Sequence, residues 1–414
     1  MQLKNQTIFM LGLMRFDNPI ESTNFTIARQ LARHNRVFYV DNPYTYKDYL
    51  RGIGTPAFRR RYGHAARASN GVVDTDQPNL KVIITPPVPS INWMPEGKVY
   101  RKALHSAEKL ICRSITAVAK QAGISDYIFI NSFNFYYPNV GRMLPARLSV
   151  YHCVDPLVHP YELRHGRLSE DHVAQQSDLV ICTSRRLADE LLLLNSNTVL
   201  IPNAANLAHS QKALDESLPV HPLLAGIPRP VIGYFGAIER RMDYDLLQAV
   251  IDRNRDKSFV FAGPVSEEFI PEWFQKDPNV FLPGLIPYAE LPQMLKGFDV
   301  AVIPFKKDEA SASIFPLKLF EYLGAGLPVV ATDFNPDLKR YTYDSVDYCG
   351  TALSFSDALN APLMADDSLR NARLAIAAEN TWERRAGEFA AAICRTLKEK
   401  KSRQADLLTP LCPF

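Results

Sequence analysis

Cysteine is sparse and unpaired in this sequence. There are six, Cys112, Cys153, Cys182, Cys349, Cys394 and Cys412, and no two of them form a Cys-x-x-Cys. That spacing excludes the close ligand pairs of structural zinc sites. Most of them sit in apolar runs, so buried free thiols in a reducing cytoplasm are expected. Long apolar runs are missing too, and nothing approaches the roughly 20 residues that a membrane-spanning helix needs. The opening MQLKNQTIFMLGLMRF is apolar only briefly and carries no small-residue cleavage site. It reads as a first strand and not as a signal peptide. An excess of one charge is also absent. The balance is +3, from 47 Lys and Arg against 44 Asp and Glu. That is too even for a protein that coats nucleic acid by neutralising phosphates, and no nucleic-acid partner is expected. No Gly-x-Gly-x-x-Gly occurs, which argues against a nicotinamide or flavin site, and no cofactor is expected.

What is present is an ordinary folded composition, 47% hydrophobic and 22% charged, over 414 residues. That length suits two to three domains. Thr7 to Met14 is an apolar run of strand length. Ser22 or Thr23 can cap a helix with Phe25, Ile27, Ala28, Leu31 and Ala32 on one face. Strands are expected at residues 37–40, 82–84, 127–131, 148–151, 179–183 and 199–201, most of them after helical or loop segments. This is the α/β pattern of a parallel sheet. Residues 207–230 lose that pattern. They hold Pro219, Pro222, Pro228, Pro230 and Gly226 and read as a linker between a first domain, 1–206, and a second. The pattern restarts at Val231. Strands at 231–235, 259–262, 280–282, 299–305 and 328–332 alternate with helices opening at Asp243, Leu291 and Pro316. Two doubly wound α/β domains are expected, with a ligand cleft at the carboxyl ends of their sheets.

The segment Phe315 to Thr332 is the richest in chemistry. Lys318 and Glu321 are three apart and share one helix face. Pro316 fits the first turn, where its missing N–H costs nothing. A helix start of this kind suits a phosphate, and a lysine there adds a full charge. A glutamate one turn on can accept both hydroxyls of a ribose. The same pair could equally be an i,i+3 surface ion pair.

This stretch, FPLKLFEYLGAGLPVV, resembles the signature of the retaining group 1 (family 4) glycosyltransferases of the GT-B fold. Other segments are similar in the same order: Val231 to Gly236, Phe261-Ala262-Gly263-Pro264, Gly284 to Tyr288 with Glu290-Leu291-Pro292, Asp299 to Pro304, and Ile201-Pro202-Asn203-Ala204. Trp382 is similar to the start of a C-terminal helix that crosses back to the first domain, so residues 231–380 are expected as the donor domain and 381–414 as the returning helix and tail. The resemblance covers about residues 200 to 390. It implies a GT-B enzyme, two Rossmann-like domains with an interdomain cleft, that moves a sugar from a nucleotide-sugar, a UDP- or GDP-sugar, to a glycan or lipid-linked acceptor in building cell-surface polysaccharide or glycolipid. Glu321 is implied on the ribose and Lys318 near the diphosphate. Gly236, Gly263, Leu285, Ile286, Ile314, Phe315 and Pro316 are implied along the donor.

The sequence departs from that family in two places. The family pairs two glutamates eight apart, and the position eight before Glu321 is Ser313. The loop after Gly236 holds Arg240 and Arg241 but no following lysine. One of these arginines could pair with diphosphate oxygens, or the run Glu239-Arg240-Arg241 is a solvated turn. Cations and helix N-termini can carry leaving-group charge without a divalent ion, so metal-independent chemistry is expected. His152 and Asp155 end a strand, which suggests a place on the acceptor or its proton, against a purely structural role. Gly12 and Arg15 end the first strand and could approach the diphosphate from the other side. The basic tract Arg51 to Arg67 and the Lys98 to Lys120 helix suit an anionic membrane surface at the inner face of the cell membrane, or a solvated helix with one core face. Two other functions share this fold: a nucleotide-sugar epimerase, and a catalytically silent subunit that binds a partner or a membrane.

Overall fold

The computed structural model describes residues 3–18, 22–63, 71–158, 162–361 and 367–408. The chain divides into two compact units, Met1–Pro202 with Ala386–Phe414, and Asn203–Arg385.

The first unit holds one eight-stranded sheet, β1 (Thr7–Gly12), β2 (Arg36–Val40), β3 (Val72–Asp74), β4 (Leu80–Ile83), β5 (Ile128–Ser132), β6 (Leu148–Cys153), β7 (Leu179–Cys182) and β8 (Thr198–Leu200), in the order β3-β4-β2-β1-β5-β6-β7-β8. All neighbours are parallel except β3 and β4. Parallel strands are covered on both faces, which is why β1 reads as a continuous apolar run, with Ile8 to Leu11 wholly buried. Ser22 caps α1 (Thr23–Leu31), accepting from the Phe25 N–H at 3.3 Å. Two short helices follow β2, α2 (Tyr46–Gly52) and α3 (Pro56–Tyr62), and the long α4 (Lys98–Gln121) precedes β5. The apolar face of α4, including Leu104, Ile111 and Ile115, is buried in the unit's core.

The second unit holds six parallel strands, β9 (Val231–Phe235), β10 (Ser258–Ala262), β11 (Val280–Gly284), β12 (Val300–Ile303), β13 (Val329–Thr332) and β14 (Asp347–Cys349). Their order is β11-β10-β9-β12-β13-β14. Counted from β9 this is the doubly wound 3-2-1-4-5-6 arrangement, which reverses between β9 and β12 and opens a crevice at their carboxyl ends. The segment 207–230, expected as a linker, is built into this unit. It forms a helix, Leu207–Ser210, and two tight turns, and Ala213 and Leu224 join the core. The last helix, Trp382–Leu408, begins in the second unit and runs into the first. There Phe389 and Ile393 are buried, and Lys400 pairs with Asp178 at 2.8 Å. Among the described residues no helix is long and apolar enough to cross a membrane.

Candidate active site

The reversal between β9 and β12 places the second unit's reactive side chains. Helix α5 (Leu317–Gly324) starts after Pro316, which stands at the N-cap, one position before the first turn expected for it. No side chain caps α5, so its first N–H groups are left to other acceptors. Lys318 lies in that first turn. Its ammonium donates to the Tyr234 hydroxyl at 2.7 Å and sits 3.9 Å over the centre of the Tyr234 ring. The Tyr234 hydroxyl in turn donates a hydrogen bond to the carbonyl of Ala237, 2.9 Å away. Phe305, just beyond β12, presents its ring 5.3 Å from the same ammonium. Arg241 lies 5.7 Å over that ring and is paired to Glu239.

Lys318 and Arg241 are therefore held around a small aromatic box. Loss of water holds the Lys318 ammonium well below the ordinary lysine range, and Arg241 pushes it the same way. Glu321 and Glu239 pull against them. Arg240 is half-buried in the same turn, but Arg241 is the arginine whose charge reaches Lys318. Glu321 lies one turn on and is 7% exposed.

The glycines at the strand ends are required by this packing. Gly236 ends β9 with φ at 130°, and a Cβ there would stand 2.4 Å from the Lys318 Nζ. A Cβ on Gly263 would stand 2.0 Å from the Gly236 carbonyl oxygen. Gly236, Gly263, Lys318 and Arg241, distant in sequence, are thus brought together.

The remaining expected donor residues divide. Leu285 is exposed on the turn after β11, whereas Ile286 points into the core. Ile314 and Phe315 are buried, and their carbonyls are held by Asn335 and Asn203 side chains at 2.8 and 2.9 Å. Ser313 is buried, its hydroxyl 3.4 Å from the Glu309 carbonyl. Tyr234, Phe305 and Asn335 were not singled out by sequence. The readable signal was an aromatic residue at or just past the carboxyl end of each of the two strands that flank the reversal.

Among the described residues no three His, Cys, Asp or Glu side chains are arranged to hold a metal ion. Two Asp-x-Asp triplets occur, Asp74-Thr75-Asp76 and Asp243-Tyr244-Asp245. Asp74 pairs with Lys81, Asp76 with Arg29, and Asp243 caps the helix Tyr244–Arg253.

In the first unit a cavity of about 520 Å³ lies at the carboxyl ends of β1 and β2, lined by Arg15, Asp17, Asn42, Tyr44, Asp48 and Tyr137 among others. Arg15 bonds Asp48 at 3.1 Å and stacks over Tyr44 at 4.3 Å. Beneath it Arg61 is buried and paired with both Asp17 and Asp41. Burial raises the Asp41 carboxyl to about 6 even though Arg61 opposes it. Gly12 leaves room for the Tyr39 ring, whose hydroxyl lies 1.8 Å from where a Cβ would be.

His152 does not present an open proton acceptor. Its Nδ1 is 3.0 Å from the Ser132 hydroxyl, its ring meets Phe389 edge-on at 5.2 Å, and burial pushes it down to about 3. Asp155 is exposed, so the structure separates two residues that the sequence placed in one role.

Comparison with known proteins places the fold. Residues 229–359 match the family model of group 1 glycosyl transferases. A Bacillus subtilis (strain 168) protein assigned by name to teichuronic acid biosynthesis, the glycosyltransferase TuaH, is 26% identical over 215 residues, 48% of this chain and 54% of that protein. The match thus spans about half the length of that relative. Among solved structures, sucrose-phosphate synthase from Thermosynechococcus elongatus superposes with a TM-score of 0.64 at 16% identity, over 95% of this chain and 100% of the other. An Escherichia coli trehalose-6-phosphate structure bound with UDP-2-fluoro glucose gives 0.67 at 11%, over 95% and 99%. Anabaena HepE in complex with UDP gives 0.60 at 12%, over 94% and 100%. The chain has the GT-B fold, and residues 229–359 of its second unit are similar to the group 1 glycosyl transferases.

Proposed function

We propose that this protein transfers a sugar from a nucleotide-sugar to a glycan or lipid-linked acceptor during assembly of a cell-surface polysaccharide or glycolipid, at the cytoplasmic face of the membrane. The observation that carries this reading is the Lys318 ammonium, held by Tyr234 at the Gly236 turn beside Arg241 and the uncapped start of α5. Breaking the bond between sugar and diphosphate leaves the electron pair on the diphosphate. Two cations and a helix N-terminus fixed in place stabilise that charge as it grows. Glu321 accepts from the ribose hydroxyls, and Leu285, exposed on its turn, packs against the base. Two solved neighbours carry UDP or a UDP-sugar, which favours uridine over guanosine here. The first unit takes the acceptor in its cavity, where Arg15 and Asp48 face hydroxyl groups and Tyr44 offers a ring face. Transfer proceeds with retention and without a divalent ion.

A thermal-shift screen over UDP-, GDP-, ADP- and TDP-sugars tests the donor. A ligand that binds only the folded state at a hundred times its Kd adds about 2.7 kcal/mol, a shift of several degrees. The expected result is a shift with a UDP-sugar that Glu321→Gln reduces, followed by sugar transfer to a membrane or glycan fraction. No shift with any nucleotide-sugar overturns the reading. One observation favours a second reading, a catalytically silent subunit: Ser313 stands where the family resemblance puts a carboxylate, and it is buried. That reading gives a nucleotide shift with no turnover.

A further inference from the structure

Helix α2 is amphipathic with its apolar stripe facing outward. Tyr46, Leu50 and Ile53 follow at i, i+4 and i+7 and are 53%, 68% and 58% exposed. The inward side of α2 is already satisfied: Tyr49 meets Phe58 and Tyr62 of α3 edge-on at 4.9 and 5.0 Å. Trp93, 72% exposed, continues the patch. Its indole N–H donates to the Ser90 carbonyl at 2.8 Å, and the Ser90 hydroxyl accepts from the Lys47 N–H at 3.4 Å, which sets the tryptophan beside the start of α2. Lys47 and Arg51 flank the stripe, and Arg59 and Arg60 stand exposed on α3. None of these four cations has an acidic partner among the described residues. The one acid on the two helices, Asp48, caps α2 and bonds Arg15.

We infer that the α2–α3 hairpin and Trp93 form a docking surface for an anionic lipid bilayer. An outward apolar stripe bordered by unpaired cations is the pattern of a helix that lies in the plane of a membrane surface. Trp93 suits the headgroup level, where one end of its ring system is apolar and the other wet. The same hairpin borders the first unit's cavity, since Tyr44, Thr45, Asp48 and Ala57 line it. Docking would hold that cavity at the headgroups, so that the polar end of a lipid-linked acceptor enters while its tail stays in the bilayer. The docking itself stands apart from the proposed transfer; only this delivery of the acceptor rests on it. The surface also differs from the tract expected from sequence. Arg61 is buried between two aspartates, the apolar face of α4 is spent in the core, and Arg67 lies outside the described residues.

Flotation of the full chain with vesicles tests this, using phosphatidylcholine alone against phosphatidylcholine with phosphatidylglycerol. The wild-type chain is expected to float with the anionic vesicles at low salt and to lose about fivefold or more of that binding at high salt. Two variants, Leu50→Ser with Ile53→Ser, and Lys47→Ser with Arg51→Ser, Arg59→Ser and Arg60→Ser, are each expected to reduce flotation about fivefold. Their melting temperatures and nucleotide shifts stay at wild-type values, because every altered side chain faces water. Arg253→Ser with Lys276→Ser, equally exposed on the second unit, leaves flotation unchanged. Wild-type chain that stays at the bottom, variants that float like wild type, or a control pair that reduces binding as much overturns the inference. So does a concentration-dependent dimer in gel filtration that Leu50→Ser with Ile53→Ser abolishes without any vesicle binding, since the patch would then join two copies.

Discussion

At the scale of single residues the proposed chemistry turns on Lys318, whose environment was only half readable. The spacing of Lys318 and Glu321 on one helix face is visible in the sequence. What seats the ammonium is not, because Tyr234 comes from β9, 84 residues away in the chain, and Phe305 follows a different strand, β12, so the contact exists only once the sheet forms. Two kinetic expectations follow from that seat. Lys318→Ala should lower kcat by about 10²- to 10³-fold while changing the donor KM far less, since diphosphate charge grows toward the transition state. Tyr234→Phe keeps the ring under the ammonium but removes the 2.7 Å hydrogen bond. At a net worth of about 1 kcal/mol it should cost about fivefold in kcat. Glu321→Gln should instead weaken donor binding by about tenfold, because a neutral amide accepts less strongly from ribose hydroxyls. Steady-state kinetics with the donor saturated separates these effects. A Lys318→Ala enzyme with wild-type kcat would refute the assignment of charge stabilisation to this lysine. His152 shows the opposite failure: its position at a strand end was legible, but not the Phe389 ring that covers it, which arrives from the last helix.

At the scale of elements the apolar strands were legible because parallel strands must be buried on both faces. Residues 231–235 and 329–332 were found almost to the residue. The edges were not. Val72–Asp74 and Asp347–Cys349 are three residues each, and each carries an aspartate, so no run stands out. Helix α2 has a readable start, Thr45 with Asp48 forming a capping box, yet the surrounding arginines dominate the sequence there. The core face of α4 was readable, but the burial of Glu108 within it was not. Glu108 accepts from the Asn139 backbone N–H at 2.8 Å, and burial lifts its carboxyl from 4.5 to about 7. A carboxyl raised on folding contributes its full stability below about pH 4.5, and that contribution is lost as pH rises to about 7. Glu108→Gln keeps an acceptor for Asn139 and removes the titration. The variant should therefore match wild type near pH 4.5 and gain on it by up to about 3 kcal/mol above pH 7. Urea unfolding at the two pH values checks this, and an equal difference at both would show that Glu108 does not titrate in that range.

At the scale of the whole molecule, fold class and the repeat of the α/β pattern were legible in the alternation of strands and helices, because that alternation dictates a parallel sheet. The placing of residues 207–230 was not, since prolines mark a loop without saying which core it joins. What the assembled second unit provides is a concentration of positive charge drawn from separate places: Lys318 from α5, Arg241 from the turn after β9, and the N–H groups at the start of α5. In the proposed transfer each is already in place before a donor arrives, so none would have to be reoriented as the diphosphate departs. Of the four aspartates in the two Asp-x-Asp triplets, two form ion pairs with Lys81 and Arg29 and one caps a helix. Transfer should accordingly keep its rate to within about twofold after excess EDTA, with the donor in excess so that no metal-nucleotide complex limits the measurement. The informative comparison is with Lys318→Ala. If the lysine supplies charge that a metal supplies in other enzymes, added magnesium or manganese should raise the variant's rate more than the wild type's. Complete loss of wild-type activity in EDTA, restored by either ion, would mean that the cations of the β9–β12 crevice do not suffice and that a metal site forms with the donor.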